Sequence, residues 1–355
     1  MKRFQYNIFA GGLNMNKIRV AINGFGRIGR MVFRQAIFET SIEIVAINAS
    51  YPPETLAHLI KYDSIHGSFT GKVEVVDKRL YVNRKEILLV QSRDPEMLPW
   101  KEHQIDIVIE ATGKFNDMAG ACLHLKAGAK KVILSAPGNN VDKTIVMGVN
   151  ETEYNPERDD VISNASCTTN CLAPVVKVLH DNFGIKNGMM TTVHSFTTDQ
   201  KNLDNPHKDL RRARGCTQSI IPTSTGAAKA LGKVLPELDG KLHGMALRVP
   251  TPNVSLIDLV VDLKTRVTAE DVNEVFRSAT QTSFKDIIQY SDEPLVSIDY
   301  TTTDYSAIVD GLSTNVLDHE KVKVLAWYDN EWGYSRRVVD LLIYVNHFIH
   351  QEAHI

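Results

Sequence analysis

The chain has 355 residues, 43% of them apolar and 23% charged, with a formal net charge of −2. That is the make-up of an ordinary soluble globule with room for two domains, and it gives no ground for nucleic acid or an anionic membrane as the main partner. Its four cysteines are unevenly spaced and form no disulfide framework, which suits a reducing compartment, and no apolar run is long enough to span a membrane.

Residues 1–14 carry Lys2-Arg3 and one short apolar piece, Ile8-Phe9-Ala10, too short for the core of a signal peptide. They are expected to be a loose extension or an over-long start. From Met15 onward the chain reads as structured. Ile18 to Asn23 is a strand run, Gly24-Phe25-Gly26-Arg27-Ile28-Gly29 follows at once, and Arg30 to Phe38 has helical spacing. Ile42 to Asn48 is the next strand. This is G-x-G-x-x-G in the strand, turn, helix and strand setting that a dinucleotide site requires. Gly24 permits the turn, Gly26 lets a pyrophosphate approach, and Gly29 lets the helix pack; Phe25, Arg27 and Ile28 complete the cofactor-facing turn. The alternative is a merely tight β–α turn.

Further α/β units follow. Glu54 to Tyr62 reads as helix, and Val73 to Val90 holds short strands broken by turn residues. Ile105 to Glu110 and Lys131 to Leu134 are apolar strand runs with a helix around Ala121 to Ala127 between them. Continuous apolar strands alternating with helices predict a parallel sheet covered on both faces, with Thr112 and Ser135 in loops at its ligand-binding edge.

Val161-Ile162 ends another strand run, and Leu172 to Leu179 looks helical, so Cys167 falls on a first helical turn. Unpaired backbone N–H groups and the helix dipole there favour a thiolate. Ser166 or Ala165 is expected at the cap, with the Ser166, Thr168 and Thr169 hydroxyls around the sulfur. The bland reading is a small cysteine plugging a helix–sheet contact. Cys167 and Cys171 form a C-x3-C pair, but no second pair or nearby histidine completes a zinc site, so no metal is expected.

Met189 to Phe196 reads as a strand bearing His194, and a long polar segment, Asp199 to Gln218, carries Lys201, Lys208, Arg211, Arg212 and Arg214. That segment is either a solvated loop or an anion-binding one. Strands are expected at Leu242 to Val249, Val254 to Leu263, Ser313 to Leu317 and Val322 to Tyr328, then an amphipathic helix from about Ser335 to Phe348. The fold class is therefore a Rossmann-type α/β domain followed by an α+β domain with a mainly antiparallel sheet. The expected division is 15–166 for the dinucleotide-binding domain, completed by a terminal helix at 334–355, and 167–333 for the catalytic domain. A lone histidine at a strand end is more often structural. Paired with a thiol and a nicotinamide site, His194 becomes a candidate general base.

Several long motifs, in order, resemble the phosphorylating glyceraldehyde-3-phosphate dehydrogenases. They are Ile22 to Arg30, Ser163 to Pro174, the His194 segment, His207 to Arg212, Pro222 to Lys229 and Trp327 to Ser335. The resemblance runs from Met15 to about Phe348. It implies that Cys167 attacks the aldehyde of glyceraldehyde 3-phosphate, that His194 takes protons, and that inorganic phosphate cleaves a Cys thioester. It assigns Thr197 and Arg248 to the substrate's own phosphate, and Ser166, Thr168, Thr225, Gly226 and Arg212 to the inorganic phosphate. Asn330 would hold the nicotinamide carboxamide, with Tyr334 beside that ring. The family implies a cytoplasmic homotetramer in which the loop around Asp199 to Gln218 lines a neighbouring subunit's cofactor groove.

One departure from the common pattern concerns the cofactor. NAD-using members carry an Asp after the second strand; here Ala49-Ser50 follow Asn48. Without the carboxylate, repulsion of a 2′-phosphate is lost, Ser50 can donate to it, and Arg93 resembles an arginine near the adenosine end. Asn205 stands where NAD-using bacterial members often carry Leu. The expectation is NADP preferred over NAD, as in the gluconeogenic bacterial type; the alternative is that Ala49 is drift, with Glu43 or a backbone group serving the ribose. Gly138-Asn139 and Arg336 also differ, without a functional account. Competing activities are an erythrose-4-phosphate dehydrogenase, a Cys–His acyltransferase or hydrolase on a Rossmann scaffold, and a non-catalytic nucleotide sensor or RNA-binding protein.

Overall fold

The structure is a computed structural model and describes residues 17–349. The extension expected at 1–14 and the last residues of the 334–355 segment lie outside the described residues. In chain order the elements of the first half are β1 (Ile18–Asn23), α1 (Arg27–Ala36), β2 (Ile42–Asn48), α2 (Pro53–Lys61), β3 (Val73–Val76), β4 (Arg79–Val82), β5 (Lys85–Val90), β6 (Ile107–Glu110), α3 (Met118–Lys126), β7 (Lys131–Leu134), β8 (Lys143–Thr144) and β9 (Val161–Ser163). The second half holds α4 (Cys167–Phe183), β10 (Ile185–Ser195), β11 (Ile221–Ser224), α5 (Ala227–Val234), β12 (Leu242–Val249), β13 (Ser255–Leu263), α6 (Ala269–Gln281), β14 (Ile288–Ser291), β15 (Ala307–Leu317), β16 (Lys321–Tyr328) and α7 (Trp332–Ile349).

Two sheets result. The first has the order β3-β4-β5-β2-β1-β6-β7-β9-β8. It is parallel from β5 through β8, with β3 and β4 added antiparallel at one edge. Both faces of its centre are buried: Ile18, Val20 and Ile22 of β1 join one apolar cluster with Val32 and Phe33 of α1, while Ala21 joins another with Val108 and Trp100. Burial on both sides is why these strands read as unbroken apolar runs. Helix α7 returns to α1, where Gln35 Nε2 donates to the Trp332 carbonyl at 3.0 Å and Arg336 pairs with Glu39 at 2.8 Å.

The second sheet has the order β11-β12-β10-β13-β16-β15-β14. Its pairs are antiparallel except β10 with β12 and β14 with β15. Helix α4 connects the two sheets. It leaves the carboxyl end of β9 and packs over β13, β15 and β16 of the second sheet. Its first residue, Cys167, is therefore delivered to the junction of the two halves.

Several elements extend past the expected limits or were not expected. Helix α1 starts at Arg27, directly behind the glycine turn, and β10 starts at Ile185. Helix α6 was not among the expected elements, although Thr268 and Asp271 form a reciprocal capping box at its start. Strand β11 and helix α5 were likewise absent from the expectation, because the polar stretch before them masks a short strand.

Candidate functional site

The turn after β1 is the first part of the site. Gly24 has φ of 92°, and a Cβ there would lie 2.7 Å from Thr112 Cγ2, so only glycine fits. A Cβ on Gly29 would fall 2.2 Å from the Gly24 carbonyl oxygen, which brings α1 hard against the turn. At Gly26 a Cβ would meet nothing within 4 Å. That open cradle, at the N-terminus of a ten-residue helix with no side-chain cap, fits a pyrophosphate. Phe25 packs edge-on against Phe33, Ile28 is half-buried, and the Arg27 guanidinium is taken up by Asp63 and Glu331. What Phe25, Arg27 and Ile28 present to the cradle is thus mainly backbone.

The ribose end lies at the tip of β2. Ala49 is half-buried and bonds the Val90 carbonyl through its N–H at 3.1 Å; Ser50 and Arg93 are exposed. Arg93 makes no ion pair among the described residues. Glu43 is held by Arg19 at 3.0 Å, near the start of β2 and so at the far end of the strand. Thr112 and Ser135 face the crevice edge, and both hydrogen-bond Glu110: Thr112 through its N–H at 2.7 Å, Ser135 through its hydroxyl to the Glu110 carbonyl at 3.0 Å.

The thiol lies on the first turn of α4. Ser166 caps this helix, its hydroxyl accepting from the Thr169 N–H at 3.0 Å. Ala165, just before it, is buried with φ of 56°, a left-handed conformation that costs a non-glycine residue on the order of 1 kcal/mol. Its backbone is pinned on both sides, by the Ser163 hydroxyl at 3.0 Å and the Tyr334 hydroxyl at 3.0 Å. This sharp strand-to-helix turn aims Cys167 at β10, where His194 Nε2 stands 3.5 Å from its sulfur. Thr168 turns inward, and its hydroxyl meets Tyr328 at 2.9 Å, so it offers an anion its N–H rather than its side chain.

Strand register places Arg248 of β12 beside His194 of β10. Arg248 Nη1 lies 2.6 Å from His194 Nδ1 and donates to the Ser195 carbonyl at 3.0 Å, while Nδ1 is itself 2.7 Å from that carbonyl. A guanidinium only donates and a carbonyl only accepts, so these two contacts make opposite demands on Nδ1, acceptance from Arg248 or donation to Ser195, while Nε2 faces the sulfur. Burial, reinforced by the Arg248 charge, pulls the imidazole down to about 3, and it is neutral. Burial pushes the Cys167 thiol up, opposed by Arg248 and by Thr168. The helix-end effect expected to favour a thiolate is therefore outweighed by desolvation in the free protein.

The remaining predicted residues fall around this pair. Asn330 Oδ1 accepts from the Ser195 and Ser255 hydroxyls, each at 2.8 Å, and its amide NH2 makes no hydrogen bond among the described residues. It has the free donors that a carboxamide oxygen needs. Thr225 and Gly226 lead into α5, where the Thr225 hydroxyl accepts from the Ala227 N–H at 3.2 Å. Arg212 reaches the Ser224 carbonyl beside them at 3.4 Å, but its charge is already paired with Asp199 and Asp209. Thr197 is bound to Gln200 through both its N–H and its hydroxyl. Asn205 is exposed on the long loop and held to Ala213 by its N–H. Sequence reasoning passed over Tyr328, which joins Thr168 to Thr192, and over Glu110, whose signal was a charge closing an otherwise apolar strand. Among the described residues no cluster is fit to hold a metal ion.

Fold and site together define an oxidoreductase: a nicotinamide-dinucleotide sheet with a thiol–imidazole pair at its junction with a second domain. Residues 18–118 match the family model described as glyceraldehyde 3-phosphate dehydrogenase, NAD binding domain, and residues 166–330 match the C-terminal domain model of the same enzyme. The chain is 68% identical over 329 residues to glyceraldehyde-3-phosphate dehydrogenase 2 of Bacillus subtilis, covering 93% of this chain and 97% of that protein. It is 61% identical over 324 residues to the enzyme of the same name from Staphylococcus aureus strain MRSA252, and 58% identical over 335 residues to that of Staphylococcus epidermidis. Those matches cover 91% and 94% of this chain, and 94% and 97% of the respective relatives. The chain belongs to the glyceraldehyde-3-phosphate dehydrogenase family.

Proposed function

We propose that this protein catalyses the phosphorylating oxidation of D-glyceraldehyde 3-phosphate to 1,3-bisphosphoglycerate, and its reverse, with NADP preferred over NAD. The observation that carries the chemistry is the Cys167 sulfur at 3.5 Å from His194 Nε2, with Arg248 against the same imidazole. When the phosphate ester engages Arg248 and Thr197, the guanidinium leaves Nδ1. Nδ1 then holds the ring proton toward the Ser195 carbonyl, and Nε2 is free to take the thiol proton. Sulfur bonds the aldehyde carbon, and the proton that Nε2 took from the thiol passes to the carbonyl oxygen, giving a hemithioacetal and a neutral imidazole. Asn330 would hold a bound nicotinamide with Tyr334 beside its ring, which would supply the hydride acceptor, and His194 takes the hydroxyl proton as the thioester forms. An oxygen of inorganic phosphate, held by Ser166, Thr168, Thr225, Gly226 and Arg212, then bonds the acyl carbon. The C–S bond breaks, and Cys167 is regenerated.

The NADP preference is supported by Ala49 in place of a carboxylate, by exposed Ser50 and by exposed Arg93, which makes no ion pair among the described residues. Glu43, engaged with Arg19, is no substitute at the ribose. Asn205 would act from a neighbouring subunit. A homotetramer is supported by large apolar side chains left exposed on the second sheet and the long loop, Met189, Met245, Leu203, Leu210 and Ile220 among them. Four unpaired cysteines support a cytoplasmic setting. The working division of the chain is 15–166 with 334–355 for cofactor and 167–333 for catalysis.

Steady-state assays with NAD+ and NADP+ side by side, each with and without inorganic phosphate, test the proposal. A higher kcat/KM with NADP+ and dependence on phosphate are expected. Turnover without phosphate on erythrose 4-phosphate would assign the competing dehydrogenase instead.

A further inference from the structure

Glu110 ends β6 directly beneath the crevice, and its side chain is fully buried. The chemistry above does not use it. One oxygen, Oε1, accepts from the Thr112 N–H at 2.7 Å and from the Thr112 hydroxyl. The other, Oε2, accepts from Asn23 Nδ2 at 2.5 Å and lies 3.1 Å from His124 Nε2. Trp100 Nε1 donates to His124 Nδ1 at 3.0 Å. An indole N–H cannot accept, so Nδ1 is the acceptor and the ring proton is on Nε2. The imidazole is thus a neutral fourth donor to the carboxylate. Four donors converge on these two oxygens. A carboxamide in the same place would turn its own NH2 toward donors in either orientation, leaving buried polar groups unpaired.

The bracing extends past this carboxylate. Asn23 Oδ1 accepts from Asn48 Nδ2 at 2.6 Å, and Asn48 clamps Ser92 from both sides, donating to its carbonyl at 2.8 Å and accepting from its N–H at 3.0 Å. Thr112, on the other side, is in close packing with Gly24. The loops after β1, β5 and β6 are therefore cross-braced through one side chain.

We propose that Glu110 is a positioning residue for the nicotinamide dinucleotide: it orients Asn23 and Thr112 and, through Asn48, the Ser92–Arg93 loop, so that the cofactor meets a preformed edge. The inference rests on dinucleotide binding in this crevice and is independent of the thioester chemistry. Its test is a titration of cofactor-free, full-length protein with NAD+ and with NADP+, followed by protein fluorescence or calorimetry. Wild type, Glu110→Gln, Asn23→Asp and the double variant are compared. Melting temperature and the iodoacetamide labelling rate of Cys167 are measured on the same samples.

Glu110→Gln should raise Kd for both cofactors about tenfold or more, with the labelling rate within about twofold of wild type. Asn23→Asp alone sets two carboxylates face to face across a 2.5 Å contact and should also weaken binding. In the double variant every donor regains an acceptor. The new carboxamide NH2 faces the new carboxylate, which also accepts from His124 and Asn48, while the carboxamide oxygen keeps both Thr112 donors. Its Kd should return to within about threefold of wild type. A Glu110→Gln variant that binds cofactor as wild type does, or a double variant that binds no better than Glu110→Gln, overturns the proposal. Loss of melting temperature together with loss of labelling, at unchanged Kd, marks a purely structural role and overturns it too. Should a single variant fail to fold, the double variant decides alone: near-normal binding supports the proposal, and an unfolded or non-binding protein refutes it.

Discussion

The crevice edge and the thiol pocket sit at neighbouring ends of the same sheet but are built on opposite electrostatic plans. At the crevice, a buried carboxylate is surrounded by four donors, and the glycine turn leaves an open cradle at Gly26. That carboxylate is satisfied before any ligand arrives. At the thiol pocket, a neutral imidazole and an uncharged thiol lie under a guanidinium whose charge the pocket itself does not neutralise. The first region is preorganised for binding. On the proposed mechanism, the second is held short of its reactive state until an anion draws Arg248 away. Burial thus stabilises a finished arrangement in one place and restrains an unfinished one in the other.

The largest way to separate the two regions is at the nucleophile. Cys167→Ser should lower kcat by on the order of ten-thousandfold or more, since a serine hydroxyl beside a weakly basic imidazole is a far poorer nucleophile. Cofactor affinity, set at the crevice, should move by no more than about twofold. A parallel loss of cofactor binding, read by titration, would show that the two regions are not independent.

His194→Asn comes next, with kcat reduced roughly a hundred- to ten-thousandfold. It carries a second, pH-dependent signature. The folded value of about 3 lies below the ordinary 6.5, so between these limits the unfolded chain binds a proton that the folded protein does not. Stability from this residue is full above about 6.5 and falls as pH drops toward 3, by at most a few kcal/mol. Denaturant unfolding at a series of pH values should therefore show a flatter acid slope in His194→Asn than in wild type. Equal slopes would mean that His194 is already charged in the folded protein and that the pocket is not as dry as its packing indicates.

How much of each region could be read from the sequence follows the same divide. The glycine turn was legible because a phosphate-binding turn needs glycines at fixed offsets: Gly24 and Gly29 each meet a separate steric demand, and Gly26 leaves the cradle open. The place of Cys167 was legible too, since an apolar strand, a serine cap and a helical run fix it locally. The direction of its thiol shift was not. That depends first on how deeply the folded chain buries the sulfur and then on the opposing charge of Arg248, brought from a strand far along the chain. Glu110 was hidden for a related reason: its partners come from positions 23, 112 and 124, and only the sheet brings them together. Helix α6 is different, for its capping box is local and could have been read.

In the proposed function Arg248 connects the pocket to substrate recognition. Arg248→Ala should reduce kcat/KM for glyceraldehyde 3-phosphate roughly ten- to a hundredfold, the value of one charge-assisted contact, and affect unphosphorylated glyceraldehyde much less. Steady-state kinetics with both aldehydes measures the difference. The unphosphorylated substrate is informative in its own right. Removing the guanidinium frees His194 Nδ1 without any anion, so that substrate should be spared. Equal losses with both would make Arg248 a structural support for the imidazole and remove the substrate phosphate from its role.

The smallest expected effect tests the crevice alone. In a Rossmann site the tip of the second strand meets the adenosine ribose, and an acidic side chain there accepts from the ribose hydroxyls and repels a 2′-phosphate. Here Ala49 occupies that tip, with its N–H bound to the Val90 carbonyl and its side chain half-buried beside the clamped Ser92 loop. The backbone is already fixed, so a carboxylate introduced there starts from a defined position rather than a mobile one. Ala49→Asp should shift the ratio of kcat/KM values for NADP+ and NAD+ by about tenfold toward NAD+, chiefly through repulsion of the 2′-phosphate. Cys167 labelling by iodoacetamide should be unchanged, since the thiol pocket draws nothing from this strand tip. An unaltered ratio would place cofactor choice elsewhere, with Arg93 and the loop carrying Asn205 as the next residues to exchange. A shift accompanied by altered labelling would show instead that the strand tip and the thiol pocket are coupled, and the contrast between a finished and a restrained region would not hold.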